Sequence, residues 1–147
     1  DAERDAMRRG LAIGDQRDRE AGECGPQLIA RELPRPTGMA ADPTHVFVYC
    51  EKDRVLRKID VATGAQVELA RELINSDEVL VDGDWVYTRS WGVRGELLRV
   101  PKAGGVRQTI ADDLKSPYRI SSDARAIWVT SRDDRRIVRI PRSTLMP

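Results

Sequence analysis

Aromatic side chains are scarce in this 147-residue chain: one phenylalanine, three tyrosines and three tryptophans make up 5% of it. Histidine occurs once, at position 45, and asparagine once, at 75. A lone histidine leaves no Ser/His/Asp or Cys/His arrangement to build, and His45, at the head of a predicted strand beside a turn, reads as a strand-end residue. No apolar run is long enough to span a membrane, and mean hydropathy is -0.50. Neither sign of charge prevails: 25 basic against 24 acidic side chains give +1. Nucleic acid and anionic membranes therefore have no electrostatic basis as partners. No glycine-rich loop precedes a helix, so a phosphate cradle is absent as well. The first residue is Asp1 rather than methionine, and a removed leader or earlier stretch of coding sequence is expected. What is present, 40% hydrophobic and 33% charged residues in 16.5 kDa, suits one globular domain, or a piece of a larger one, with a very polar surface.

The chain repeats itself. Segments beginning at Ala30 (ARELPRPTGMAADPTHVFVYC), Ala70 (ARELINSDEVLVDGDWVYTRS) and Ala111 (ADDLKSPYRISSDARAIWVTS) align without a gap at steps of 40 and 41 residues. The frame equates Leu33, Leu73 and Leu114; Asp42, Asp82 and Asp123; and the aromatics Phe47, Tyr87 and Trp128. Further on, Leu56-Arg57-Lys58-Ile59 corresponds to Leu97-Leu98-Arg99-Val100 and to Ile137-Val138-Arg139-Ile140.

Each unit reads as short strands separated by turn chemistry. Residues 37–41 form a first strand, and Asp42-Pro43-Thr44 or Asp82-Gly83-Asp84 a tight turn. Residues 45–50, 85–90 and 126–131, rich in β-branched and aromatic side chains, form second strands. Residues 56–60 are a third strand, and 66–70 or 107–111 a fourth. Residues 65–74 alone also fit helical spacing. The in-frame residues 107–114 carry a β-branched pair and two aspartates, a poor helix, so strand and loop are expected. Four antiparallel strands per 40 residues is the period of a β-propeller blade. The expected fold is all-β, with about three blades in residues 27–147, preceded by a charged lead-in over residues 1–26 that is disordered or a short helix. Residues 27–30 match the fourth strand of a blade, and the third unit stops after its third strand.

The second-strand runs His45-Val46-Phe47-Val48-Tyr49, Trp85-Val86-Tyr87-Thr88 and Ile127-Trp128-Val129-Thr130 resemble those of bacterial YWTD-like, streptogramin-lyase-like (TolB-like) propellers. So do Pro36 and Pro117 before the first strand and the segment Arg99-Val100-Pro101-Lys102-Ala103-Gly104-Gly105. The aspartate that closes a full YWTD motif is replaced by Cys50, by Arg89 or Ser90, and by Thr130 or Ser131. The resemblance implies six or seven blades and a secreted or periplasmic setting. Three blades leave end faces uncovered. Either further blades of a longer chain cover them, or two copies form a six-bladed ring by lending residues 27–30 to the partner.

No catalytic residue is expected. The lyases of this type use a histidine in a later blade, which nothing here matches. Lactone-hydrolysing propellers hold calcium with Glu, Asn and Asp, and Asn75 is the one asparagine here, so no cofactor is expected and calcium stays open without support. Asp42, Asp82 and Asp123 read as turn caps rather than a ring of metal ligands. Lys58, Arg99 and Arg139 read as solvated, or paired with neighbouring acids. Cys24 and Cys50 form a disulfide or remain two free thiols. Loops between second and third strands and between blades line one mouth of a propeller, where ligands bind. That mouth carries Trp91, Arg94, Arg54, Asp133 and Arg135. Glu78, Tyr118 and Arg119 lie near the starts of the innermost strands, with Arg35 and Asp77. Trp91 sits in the longest loop, outside the repeat, where an aromatic flanked by arginine anchors a ligand or packs over the blade edge. The expected function is non-catalytic binding of a protein, peptide or glycan; the alternative is part of a hydrolase or lyase whose catalytic residues lie outside this chain.

Overall fold

A computed structural model describes residues 25–91 and 94–145. Cys24 and the charged lead-in up to residue 24 lie outside the described residues. Two compact units divide the chain, residues 1–32 and 33–147, and every strand among the described residues lies in the second.

Among the described residues, eleven strands form three antiparallel sheets in chain order. The first sheet, β1 (Pro36–Ala41), β2 (His45–Cys50), β3 (Val55–Asp60) and β4 (Gln66–Ala70), is a plain meander. The second repeats it with β5 (Val79–Asp82), β6 (Trp85–Ser90), β7 (Gly95–Pro101) and β8 (Gln108–Leu114). The third has β9 (Pro117–Ser122), β10 (Ala126–Ser131) and β11 (Arg136–Pro141), with β11 as its edge and a 3-10 turn, Arg142–Thr144, after it. These are the expected blades, and residues 66–70 are strand rather than helix. Residues 27–30, expected as the fourth strand of a blade whose other strands lie outside residues 27–147, have no regular structure here. A strand needs a ladder to satisfy its backbone, and no ladder of the three sheets includes these residues.

Alternation along each strand decides what faces what. In β6 and β7, Val86, Leu98 and Val100 point to the first blade and meet Phe47, Tyr49, Leu56 and Leu73. Their neighbours Tyr87 and Leu97 point the other way and meet Ile120, Ile127, Val129 and Ile140 of the third. Period-two patterning on both faces thus gives the middle blade two buried interfaces. β5 packs against both β1 and β9, so the first strands of successive blades form the inner edge. Gly38 permits that approach: a Cβ there would lie 2.1 Å from the carbonyl oxygen of Asp77.

Two of the three repeated aspartates, Asp42 and Asp123, cap turns, and Asp82 is held across blades instead. Asp42 Oδ1 accepts from the backbone of Thr44 and His45 at 2.9 and 2.7 Å, and Asp123 Oδ1 from Arg125 and Ala126 at 2.7 and 2.9 Å. Asp42 and Asp82 join blades. Lys102 Nζ of the second blade donates to Asp42 Oδ2 at 2.9 Å, and Arg142 of the third grips both oxygens of Asp82 at 2.9 and 2.6 Å. Lys58 and Arg99 differ from expectation: neither is solvated or bound to a neighbouring acid. Lys58 Nζ donates to the carbonyl of Lys102 at 2.8 Å, and Arg99 Nη2 to that of Leu145 at 2.7 Å. Each reaches the turn after the third strand of the next blade, because its position faces that blade. Cys50 is a free, buried thiol whose pKa burial pushes up.

Candidate functional site

The loops expected at one mouth are stitched together there. Each segment between blades runs beside a turn between second and third strands. Glu51 N donates to Arg35 O and Lys52 N to Pro34 O in the first blade, and Arg132 N to Ser116 O and Asp133 N to Lys115 O in the third. The middle blade departs from this register. Trp91 N donates to Ile74 O, and the carbonyl that the frame would have used, that of Asn75, receives the guanidinium of Arg89 instead.

Arg89 organises the site. Only 4% of its side chain is exposed, and it donates to Asp77 Oδ1 at 2.5 Å and to the carbonyl of Tyr118 at 2.8 Å as well as to Asn75. Its guanidinium also lies 5.4 Å from the Trp91 ring and 5.6 Å from that of Tyr118. Arg132 lies at similar distances, 5.6 and 5.5 Å, from the same two rings. Trp91 and Tyr118 therefore each have two guanidiniums nearby, one buried and one exposed, a proximity favoured by the negative faces of both rings. The indole N–H donates to Pro117 O at 2.6 Å, which fixes the tryptophan to the entry of β9. Trp91 is half-buried and 41% of Tyr118 is exposed.

Trp91 forms a common wall between two depressions. One, of about 180 Å³, is lined by Tyr49, Glu51, Asn75, Asp77 and Arg89 with Thr37. The other, of about 320 Å³, brings Trp91 together with Arg94 and Asp133, alongside Asp113, Lys115 and Ser116. Asp133 accepts from the Ser116 hydroxyl and from Arg132 Nε, and these partners, Ser116 first, hold its carboxyl below the usual range. Glu78 and Arg119 pair with each other at 3.1 Å, and Glu78 also accepts from Ile120 N. Arg54 and Arg135 occupy equivalent turns, both at positive φ, and line neither depression. Among the described residues, no ion pair engages Arg54, Arg94 or Arg135.

Sequence reasoning passed over Arg89 and Arg132. The signal for Arg89 was its place in the frame, a charge at a second-strand position held by Tyr49 in the first unit and Thr130 in the third. Among the described residues, no three His, Cys, Asp or Glu side chains come together as a metal set; the recurring aspartates are spent on turns and cross-blade pairs. His45 Nδ1 lies 2.8 Å from the Thr44 hydroxyl, with Nε2 3.7 Å from Asp60.

No family model matches the chain, and no curated protein matches its sequence. Solved structures do. A chain in the crystal structure of a nidogen/laminin complex superposes with a TM-score of 0.54 at 12% identity, over 79% of this chain and 63% of that one. The PQQ-bound aldose sugar dehydrogenase of Streptomyces coelicolor gives a TM-score of 0.55 at 17% identity, over 78% of this chain and 47% of that one. Both are propellers. The fold is thus a β-propeller of antiparallel blades, about three of them, and the chain spans 63% and 47% of the length of these two neighbours.

Proposed function

We propose that this propeller module binds a protein or peptide, without catalysis, at the mouth built around Trp91 and Tyr118. The observation that carries this reading is the pair of rings gathered beside the buried Arg89 and the exposed Arg132, with the indole N–H fixed to Pro117 O. Tryptophan, tyrosine and arginine dominate binding hot spots because they offer large, rigid, part-polar contact area at little entropic cost. Here the rigidity is supplied before any partner arrives. Arg54, Arg94 and Arg135 add guanidiniums without acidic partners among the described residues, which suits a partner presenting carboxylates. The carboxylates at the mouth support binding over acid–base chemistry: Glu51, Asp77, Glu78 and Asp133 are each engaged by an arginine. One structural neighbour, from a nidogen/laminin complex, comes from a protein assembly. The likeness of the repeats to propellers that are often secreted supports action outside the cytoplasm.

The test is an array of acidic, neutral and basic dodecapeptides probed with the purified chain, followed by titration of the best binder. Acidic peptides containing an aromatic residue are expected to bind. Trp91→Ala should weaken the best of them by about thirtyfold, the loss of one hot spot, and Arg132→Ala should weaken it too. Full affinity in both Trp91→Ala and Tyr118→Ala would overturn the reading.

A further inference from the structure

The smaller depression beside Trp91, of about 180 Å³, has a lining whose charge runs against that of the mouth around it. Outside it the mouth carries Arg54, Arg94, Arg132 and Arg135, whereas its own charged lining is Glu51, Asp77 and Arg89. Arg89 is already committed. Each guanidinium nitrogen donates within the chain: Nε to the carbonyl of Tyr118 at 2.8 Å, Nη1 to that of Asn75, and Nη2 to Asp77 Oδ1 at 2.5 Å. The two carboxylates are less so. Asp77 is exposed and gives Arg89 one of its oxygens. Glu51 is partly exposed, and its partner Arg35, 3.2 Å away, is a surface side chain that lines no part of the depression. An exposed pair of that kind contributes little in water and opens to a competing base. The sign of the site follows. An anion entering it meets two carboxylates and a guanidinium already bound, whereas a cation meets two acceptors of opposite charge.

The rest of the lining suits a cation carried on an apolar stem. Tyr49 and Trp91 provide aromatic surface against which methylenes pack, and an indole attracts a cation near its face. Asn75 and Thr37 add neutral oxygens that accept from the remaining N–H groups of an ammonium. A lysine side chain has five heavy atoms beyond Cα and, at about 30 Å³ for each water-sized group, fills about 150 Å³. The depression has that room.

We infer that this depression is a subsite for one lysine side chain of the bound peptide, selected by Glu51 and Asp77. The inference rests on the mouth around Trp91 and Tyr118 being a peptide-binding site, and it adds a motif to that reading: a single lysine among acidic residues. The lysine enters beside Trp91 while the acids meet the arginines outside. A peptide with an acid at that position instead would set its own charge against Glu51 and Asp77, so the subsite selects by repulsion as well as by attraction.

The direct test titrates the purified chain with Nα-acetyl-lysine methylamide and, as the uncharged control, the norleucine analogue, following the tryptophan indole N–H signals by NMR. The Trp91 signal, identified by its loss in Trp91→Phe, should move with the lysine probe and not with the control; Trp85 and Trp128, which line no part of the depression, should stay still. Glu51→Gln should weaken the lysine response by about threefold or more, Arg35→Ala should strengthen it by releasing Glu51, and added salt should weaken it. Asp77 is left unchanged in these variants because it holds the buried Arg89. A second arm replaces each position of the best acidic peptide by lysine or norleucine. At one position lysine should bind about tenfold tighter, the scale of a hydrogen bond to a charged group. Absence of a lysine-specific shift at Trp91, or an undiminished one in Glu51→Gln, overturns the subsite and leaves peptide binding through Trp91 and Tyr118 standing. A lysine-specific shift with no lysine preference at any peptide position also overturns the inference, making a free amine the occupant. A lysine-specific shift with full peptide affinity in both Trp91→Ala and Tyr118→Ala overturns the peptide reading, and with it the peptide as the source of the lysine.

Discussion

Arg89 places a buried cation on a second strand, and the cost of burying it is met by three acceptors from outside that strand. Asn75 and Asp77 come from the linker after the first blade, and Tyr118 from the start of the third. Removing the guanidinium leaves a carboxylate and two carbonyls short of a donor. Asp77 is 51% exposed and can be rehydrated, so Arg89→Met should lose about 1–3 kcal/mol of stability, the scale for leaving buried carbonyls without a donor, read as a lower urea midpoint. None of this could be read from the sequence, because the acceptors are mostly backbone oxygens whose positions exist only once the blades stack. The same is true of backbone strain. Non-glycine residues at positive φ recur in register: Glu32, Glu72 and Asp113; Arg35, Asn75 and Ser116; Arg54 and Arg135. Glycine-based turn reasoning finds only Asn75 and Asp113 among these suited to the left-handed region. At the exposed Glu72, Glu72→Gly should be neutral or stabilising. Glu72→Val, with a β-branched side chain at φ 57°, should lose about 1–2 kcal/mol, with chemical denaturation separating the two.

At the scale of elements, strands with turn chemistry on both sides were legible and those without it were less so. β2, β6 and β10 match the expected limits because Asp-led turns open them and β-branched or aromatic residues fill them. β8 starts one residue later than expected and runs on to Leu114, because pairing with β7, with irregular register near Leu97, carries it through Asp112 and Asp113. Local propensity gave no sign of that. The cross-blade pairs were equally hidden: the frame showed the aspartates recurring but not that the base after the next third strand would find them. These pairs make blade stacking sensitive to acid. Arg142, its largest influence, holds the Asp82 carboxyl below the usual range, and Lys102 does the same for Asp42. A carboxylate whose pKa falls on folding adds stability that is fully present above the unfolded value, about 3.9. That stability disappears as pH drops through the folded value. Partial exposure of Arg142 screens the pair, so Asp82→Asn should cost about 1 kcal/mol at pH 7. The gap should narrow steadily below about pH 4, measured as urea midpoints across pH.

Across the whole molecule, stability follows position in the stack rather than sequence. Blades contact only their neighbours, so each owes its stability to its own sheet and to the faces that cover it. The middle blade is covered on both faces, and Val86, Tyr87, Leu97, Leu98 and Val100 are all at most 2% exposed. The third blade is covered on one face and ends at an unpaired edge strand, β11. Hydrogen exchange should therefore release β11 and β10 first and β6 and β7 last, because opening the middle blade disrupts two interfaces and opening the third only one. Two truncations on one frame position give the same contrast in equilibrium terms. Leu97→Ala empties a fully enclosed site and should cost about 2–5 kcal/mol. Ile137→Ala removes a side chain that touches little and should stay within about 0.5 kcal/mol of the parent. Comparable losses at the two positions would mean that the outer face of the third blade is already covered in solution, and would contradict the stacking order from which this gradient is argued.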